Sequence, residues 1–238
     1  MSLDYTSSDN DKIGDYLIQE LYDTDPDSFS EIMSGIHLPT KEKVSIKIIN
    51  KEKLVKKEQK KRSLLTEILL LKKMKHRNVI KLYEIIKTHE KIYLIMEYCN
   101  SGNIYDTIDN RGPRPEKQAC LLFQQILDLL LYLKSQKIFQ VNINPENILL
   151  DINNKNITCK LKNFQKSKKN YKNNENNSMI YNAGVLLYYM VCGYFPFNEE
   201  GSEDDSENSS LDIQEDLSHP LCDLLKHLLN NNSKKYTH

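Results

Sequence analysis

The side chains with most chemistry to offer cluster in QVNINPENILLD, residues 140–151, where Asn142, Asn144 and Asn147 interleave with apolar and turn residues. An amide does not take up a proton at neutral pH, whereas a carboxylate does. The segment therefore offers hydrogen bonds and neutral ligand oxygens rather than a general base. Asn163 shares that limit, offering a neutral oxygen and no charge. Lys47 stands in the apolar run VSIKII, and a lysine on a buried strand needs a counter-charge. Asp23, Asp25 and Asp27 follow one another at every second residue. Any anion facing them meets like charge, at about 1 kcal/mol per contact at ~4 Å in water and several times that when partly desolvated.

The elements that must position these groups are legible in the apolar pattern. Residues 16–49 alternate apolar and polar segments around turns at 23–27 and 39–43, which predicts strands and hairpins. Residues 52–75 are charged, with Leu64, Leu65, Ile68, Leu69 and Met74 at helical spacing, and predict one amphipathic helix or two shorter ones. Residues 79–86 and 92–97 read as strands and complete a β-rich unit over 13–99. Pro115 followed by Leu121, Leu122, Ile126, Leu129, Leu130 and Leu133 predicts a helix with proline at its start. Residues 148–150 and 157–161 predict a hairpin, 180–192 a helix apolar nearly all round, and 221–229 a further helix. The resulting division is a leader (1–12), the β-rich unit (13–99), a mainly helical unit (100–198), an acidic insert (199–218) and a closing helical piece (219–238). The stretch 199–216, EEGSEDDSENSSLDIQED, is too poor in apolar groups to offset the entropy of ordering, and disorder is expected there.

Composition excludes several classes of function. The chain has 238 residues, 39% hydrophobic and 28% charged, enough for a sizeable core. Formal net charge is +0, so no global field favours nucleic acid or an acidic membrane. The cysteines, at 99, 120, 159, 192 and 222, form no CxxC pair and read as reduced intracellular thiols. The polar start MSLDYTSSDND is not a signal peptide, and no apolar run approaches the ~20 residues needed to span a bilayer. A cytoplasmic or nuclear protein is expected.

Six segments, in order, carry a resemblance. VSIKIINK (44–51), LLTEILLLKKMKHRNVIKLYEII (64–86), IYLIMEYCNSGNIYDTI (92–108), QQILDLLLYLKSQKIF (124–139), QVNINPENILLD (140–151) and GVLLYYMVCGYFPF (184–197) together resemble the eukaryotic Ser/Thr protein kinases over roughly residues 13–237. The wording is closest to the calcium/calmodulin-dependent and AMP-activated branch. The resemblance implies an α+β bilobal fold: a β-rich N-lobe with the αC helix, and a shortened, mainly helical C-lobe. It implies ATP as the cofactor, with Lys47 as the phosphate-gripping lysine, Glu67 as its αC partner, Met96 as gatekeeper, and Glu97 and Cys99 in the hinge. Ser45 takes the place of the alanine that packs on adenine.

The same alignment of motifs shows departures. In the frame HRDLKPENILLD, Asn142 falls at the catalytic-base position, Asn144 replaces the lysine, and Gln140 and Val141 replace histidine and arginine. Asn147 and Asn163 fall at the Mg²⁺ positions, within a triplet Asn163-Phe164-Gln165 in place of DFG. The loop 21–30 has lost the phosphate-cradling glycines and gained Pro26. The activation segment is reduced to a short link from Gln165 to Ile180, without an APE motif. Met179 replaces the αF aspartate, and Lys235 stands where the buried arginine partner of the APE glutamate belongs. These features lead to the expectation of a catalytically inactive kinase homologue. It would act through protein–protein contacts as a scaffold or allosteric regulator, with an active kinase or a kinase substrate as partner, and without Mg²⁺, nucleic acid or membrane. The contact surface expected is the αC helix with its basic flanks, 51–62 and 72–77. The alternatives are a weak ATP-dependent Ser/Thr kinase, supported by Lys47, Glu67 and Asn147, and a metal-independent nucleotide-binding switch.

Overall fold

In the computed structural model, the described residues are 12–24, 30–55, 58–138, 141–154, 156–164, 175–196 and 216–230. The leader up to residue 11, Asp25, Pro26, Asp27, Gln140, the link 165–174, nearly all of the acidic insert, and Lys235 lie outside them. Two units are distinct: one comprises residues 1–75 and 80–99, the other 76–79 and 100–238.

In the first unit, the strand-like stretches form β1 (Lys12–Ile13), β2 (Tyr16–Thr24), β3 (Ser30–His37), β4 (Lys43–Asn50), β5 (Leu82–Lys87) and β6 (Lys91–Glu97). They pair antiparallel in the order β1-β2-β3-β4-β6-β5. β4 is central and buried on both faces, which is why it is mostly apolar, with Ser45 and Lys47 as its buried polar side chains. The two-residue period of a strand separates its side chains. Val44, Ile46 and Ile48 join Tyr16 and Ile95 in one cluster, with Ile13, Ile18, Met33, Ile86 and Tyr93 against it. Ser45, Lys47 and Ile49 take the opposite face. Gly35 on β3 permits this packing, since a Cβ there would lie 2.9 Å from the Leu17 carbonyl oxygen and 2.6 Å from Ile46 Cδ1.

The segment expected as one helix or two is two, α1 (Lys51–Val55) and α2 (Glu58–Lys73). The buried face of α2 is Leu64, Glu67, Leu70 and Leu71. Leu65 and Leu69, grouped with the apolar set in the sequence, instead point to solvent at 53% and 67% exposure. Hydrophobicity alone does not select this face, because Glu67, the residue the resemblance pairs with Lys47, takes a place on it. The strand expected from Val79 starts only at Leu82; Val79 and Ile80 are buried, and Val79 forms an isolated parallel bridge to Leu161. The turn expected at 23–27 also begins later, because Asp23 and Thr24 still pair with Ile32 and Glu31.

In the second unit, α3 (Ile104–Arg111) is capped by Asn103, whose Oδ1 accepts from the Asp106 N–H at 2.8 Å. α4 (Glu116–Ser135) follows Pro115 and buries Ala119, Leu122, Phe123, Ile126, Leu129, Leu130 and Leu133. A short 3₁₀ turn, Pro145–Asn147, leads into the hairpin β7 (Ile148–Asn153) and β8 (Asn156–Leu161). α5 spans Glu175–Cys192, starting earlier than the expected Ile180 because its first turn is polar and carries no apolar period. α6 (His219–Asn230) buries Leu221, Leu225 and Leu229 at a four-residue spacing. α5 and α6 approach so closely that a Cβ on Gly184 would sit 2.7 Å from Leu228 Cβ. Residues 76–79 belong here because hydrogen bonds sew them to β8 and α4. Asn78 Nδ2 donates to Gln125 Oε1 (2.9 Å) and to the Cys159 carbonyl (2.7 Å), and Leu161 N–H donates to the Asn78 carbonyl (2.9 Å). No helix among the described residues is long and apolar enough to cross a membrane.

Candidate functional site

The first unit holds a buried ion pair. β4 delivers Lys47 to the face opposite the Tyr16 cluster, and α2 delivers Glu67 to meet it. Lys47 Nζ donates to Glu67 Oε1 at 3.0 Å and Oε2 at 3.3 Å, with the two side chains 8% and 1% exposed. Two charges this far from water persist only as a pair. Ser45 and Met96 face each other across β4 and β6, and both are buried. Glu97 ends β6; its backbone N–H donates to the Lys81 carbonyl (2.9 Å) while its Oε2 accepts from the Lys81 N–H (3.2 Å). Cys99, next in the expected hinge, is buried.

The second unit holds the asparagine cluster. Val141, Ile143 and Pro145 are buried and anchor the loop, while Asn142 is half-buried and Asn144 exposed. Asn142 Oδ1 accepts from the Asn144 N–H at 3.3 Å. Asn147 Nδ2 donates to the Asn142 carbonyl at 3.3 Å. The Asn147 backbone N–H donates to the Asn144 carbonyl, and its carbonyl accepts from Lys162 N–H, both at 2.9 Å. These bonds hold the loop in shape through amides alone. The last of them ties it to the strand end that carries Asn163, half-buried, and Phe164, fully buried. The loop keeps a turn that asparagine supports well, since its side chain hydrogen-bonds nearby backbone.

Asn147 and Asn163 contribute only uncharged side-chain oxygens. That donor set does not fit Mg²⁺, which depends on carboxylate charge. Among the described residues, no three His, Cys, Asp or Glu side chains converge as a metal site. The buried thiol of Cys159 is pushed up to about 12 by desolvation, which leaves it unreactive at neutral pH. Asp23 lies within the β2–β3 ladder. Met179 is buried in α5 and contributes no charge where the resemblance expects an aspartate. The polar knot of Asn78, Gln125 and the Cys159 backbone escaped the sequence reading. Its signal in the sequence was slight: Asn78 stands directly before the apolar pair Val79–Ile80.

A β-rich unit with a buried Lys–Glu pair between strand and helix, and a helical unit with a turn-and-hairpin loop, define the class of a kinase fold. The sequence profile of the protein kinase domain matches residues 27–181. This chain belongs to the eukaryotic Ser/Thr protein kinase-like family, with its α+β fold. Calcium-dependent protein kinase 5 of Plasmodium falciparum is 30% identical over 216 residues, covering 82% of this chain and 37% of that protein. The carbon catabolite-derepressing protein kinase of Candida albicans is 33% identical over 221 residues, covering 83% and 35%. The maternal embryonic leucine zipper kinase of Xenopus laevis is 32% identical over 199 residues, covering 72% and 29%. The chain thus spans well under half the length of these relatives.

Proposed function

We propose that this chain is a pseudokinase, a family member that works by binding other proteins, as a scaffold or allosteric regulator, rather than by phosphoryl transfer. The observation that carries this is the pair of amides at Asn142 and Asn163, where the family's motifs place the base and the metal-binding carboxylate. Phosphoryl transfer relies on positioning and on charge supplied by metal and cationic groups. Asn142 accepts no proton, a loss worth roughly 10²–10⁴-fold. Asn163 adds no charge to hold Mg²⁺, and Asn144 supplies no cation to the transferring phosphate. The intact hydrogen-bonding of the loop argues that its shape has been kept while its charges have gone. The partner proposed is a protein, either an active kinase or one of its substrates.

The Lys47–Glu67 pair favours a second reading, nucleotide binding without metal. Lys47 and the hinge residues Glu97 and Cys99 would then hold ATP, the hinge through its backbone. A thermal-shift titration tests both readings. The pseudokinase proposal expects ATP either to leave Tm unmoved or to raise it equally with and without Mg²⁺, and the switch expects the second of these. A shift that grows on adding Mg²⁺ would show a working metal site and count against both.

A further inference from the structure

The helix that holds Glu67 against Lys47 carries an unexpected outer face. Leu65 and Leu69 lie one turn apart on α2 and are 53% and 67% exposed. At i, i+4 spacing their Cβ atoms stand about 5–6 Å apart, a single apolar patch. Exposed cations frame it at both ends: Lys61 and Arg62 one turn before Leu65, Lys72 and Lys73 one turn after Leu69. Among the described residues none of these four is ion-paired. Glu58 is the acid on that side of the helix, at its amino end. The two leucines contribute nothing to the buried face of α2, which is filled by Leu64, Glu67, Leu70 and Leu71. Isolated surface leucines are ordinary, but an apolar pair ringed by one sign of charge is a recognition pattern of the helix-and-anchor kind.

We infer that this outer face of α2 docks an acidic protein segment that places two apolar side chains on Leu65 and Leu69 and its carboxylates on Lys61, Arg62, Lys72 and Lys73. Charge complementarity selects the acid, and the size of the patch selects a segment. Two leucines accept two side chains, whereas insertion into a bilayer needs a longer apolar face. The chain itself contains a stretch of this chemistry, 199–216, with nine carboxylates, no cation, and Leu211 and Ile213 two residues apart. Docking on α2 would act on the element that positions Glu67, giving a regulator a physical handle on Lys47. This deepens the binding role proposed above but is separable from it. A chain that transfers phosphate and still binds the segment would remove the pseudokinase reading and leave this one standing.

The test uses a labelled synthetic peptide of sequence EEGSEDDSENSSLDIQED and fluorescence anisotropy. It is titrated against the full chain, and against a full chain whose own carboxylates at 199–216 are neutralised (each Glu→Gln, each Asp→Asn) to remove self-competition. Saturable binding to the neutralised chain is expected, weakening as salt rises from about 50 to about 500 mM. Leu65→Gln with Leu69→Gln, or a peptide carrying Leu211→Ser and Ile213→Ser, weakens it by about tenfold or more. Reversal at Lys61, Arg62, Lys72 and Lys73 to Glu abolishes it. All these helix positions are exposed, so an unchanged far-UV spectrum is the accompanying control. A neutralised chain that does not bind, or α2 variants that bind as well as the parent, overturns the inference. So does capture by phosphatidylserine–phosphatidylcholine vesicles through the same residues without binding to the peptide.

Discussion

Glu67→Gln isolates the worth of the buried pair. The substitution keeps shape and volume, so no cavity forms, and removes only the charge facing Lys47. At the observed 3.0 Å, 332/(ε·r) with an effective ε of 20 is about 5.5 kcal/mol of attraction. Desolvation of both ions offsets much of it, so the intact pair has a small net effect on stability. Removing one partner leaves Lys47 charged and, at 8% side-chain exposure, almost out of water. The expected cost is about 3–5 kcal/mol. At roughly 2–4 °C per kcal/mol for a chain of this size, Tm falls by about 6–20 °C. Removing both charges with Lys47→Met and Glu67→Leu recovers most of that loss. Urea unfolding followed by far-UV circular dichroism measures the parent and both variants. A Glu67→Gln cost below about 1 kcal/mol would refute the reasoning, since Lys47 would then be finding water or another acceptor.

Four further outcomes are expected. Gly184→Val drives side-chain atoms against Leu228, where even a Cβ would stand at 2.7 Å, and destabilises by about 1–3 kcal/mol in denaturant titration. His76 is held below its ordinary pKa of 6.5, mainly by burial and then by the Arg77 charge. Its Nδ1 lies 3.2 Å from the Asn78 N–H, a geometry that uses the neutral ring as acceptor. Protonation is therefore disfavoured in the folded chain, so stability is full above the unfolded pKa and falls as pH drops from about 6.5 toward the depressed folded value. His76→Gln flattens that window of a Tm-versus-pH series. Asn142→Asp combined with Asn163→Asp restores charge but not peptide phosphorylation, because the link 165–179 is too short to rebuild the substrate platform; recovered peptide turnover in the double variant would disprove this.

Most of the fold was legible because apolar period and turn chemistry agree along the chain. β4 was legible within the alternating stretch 16–49, α4 by Pro115 and its leucine spacing, and the hairpin β7–β8 by the apolar runs 148–150 and 157–161. Boundaries failed where local signals conflict with tertiary contacts. Glu175–Ser178 carries no apolar period, yet it forms the first turn of α5. Val79 has strand chemistry but is pinned by a bridge to Leu161. The larger miss lies on α2, where Leu65 and Leu69 were grouped with the apolar face. The apolar period alone does not set that face, which Glu67 joins to meet Lys47; the pairing itself was legible only through the resemblance of the motifs. The asparagines of the candidate site were visible as residue types. Their mutual hydrogen bonds, which show that the loop shape survives without carboxylates, were not.

The central claim is tested most directly by phosphoryl transfer itself. The purified chain is incubated with radiolabelled ATP and Mg²⁺ or Mn²⁺, alone and with generic protein substrates, and incorporation is followed by autoradiography and intact mass. The account predicts no incorporation above that of a heat-denatured control. Clear turnover that disappears in Lys47→Met would contradict it.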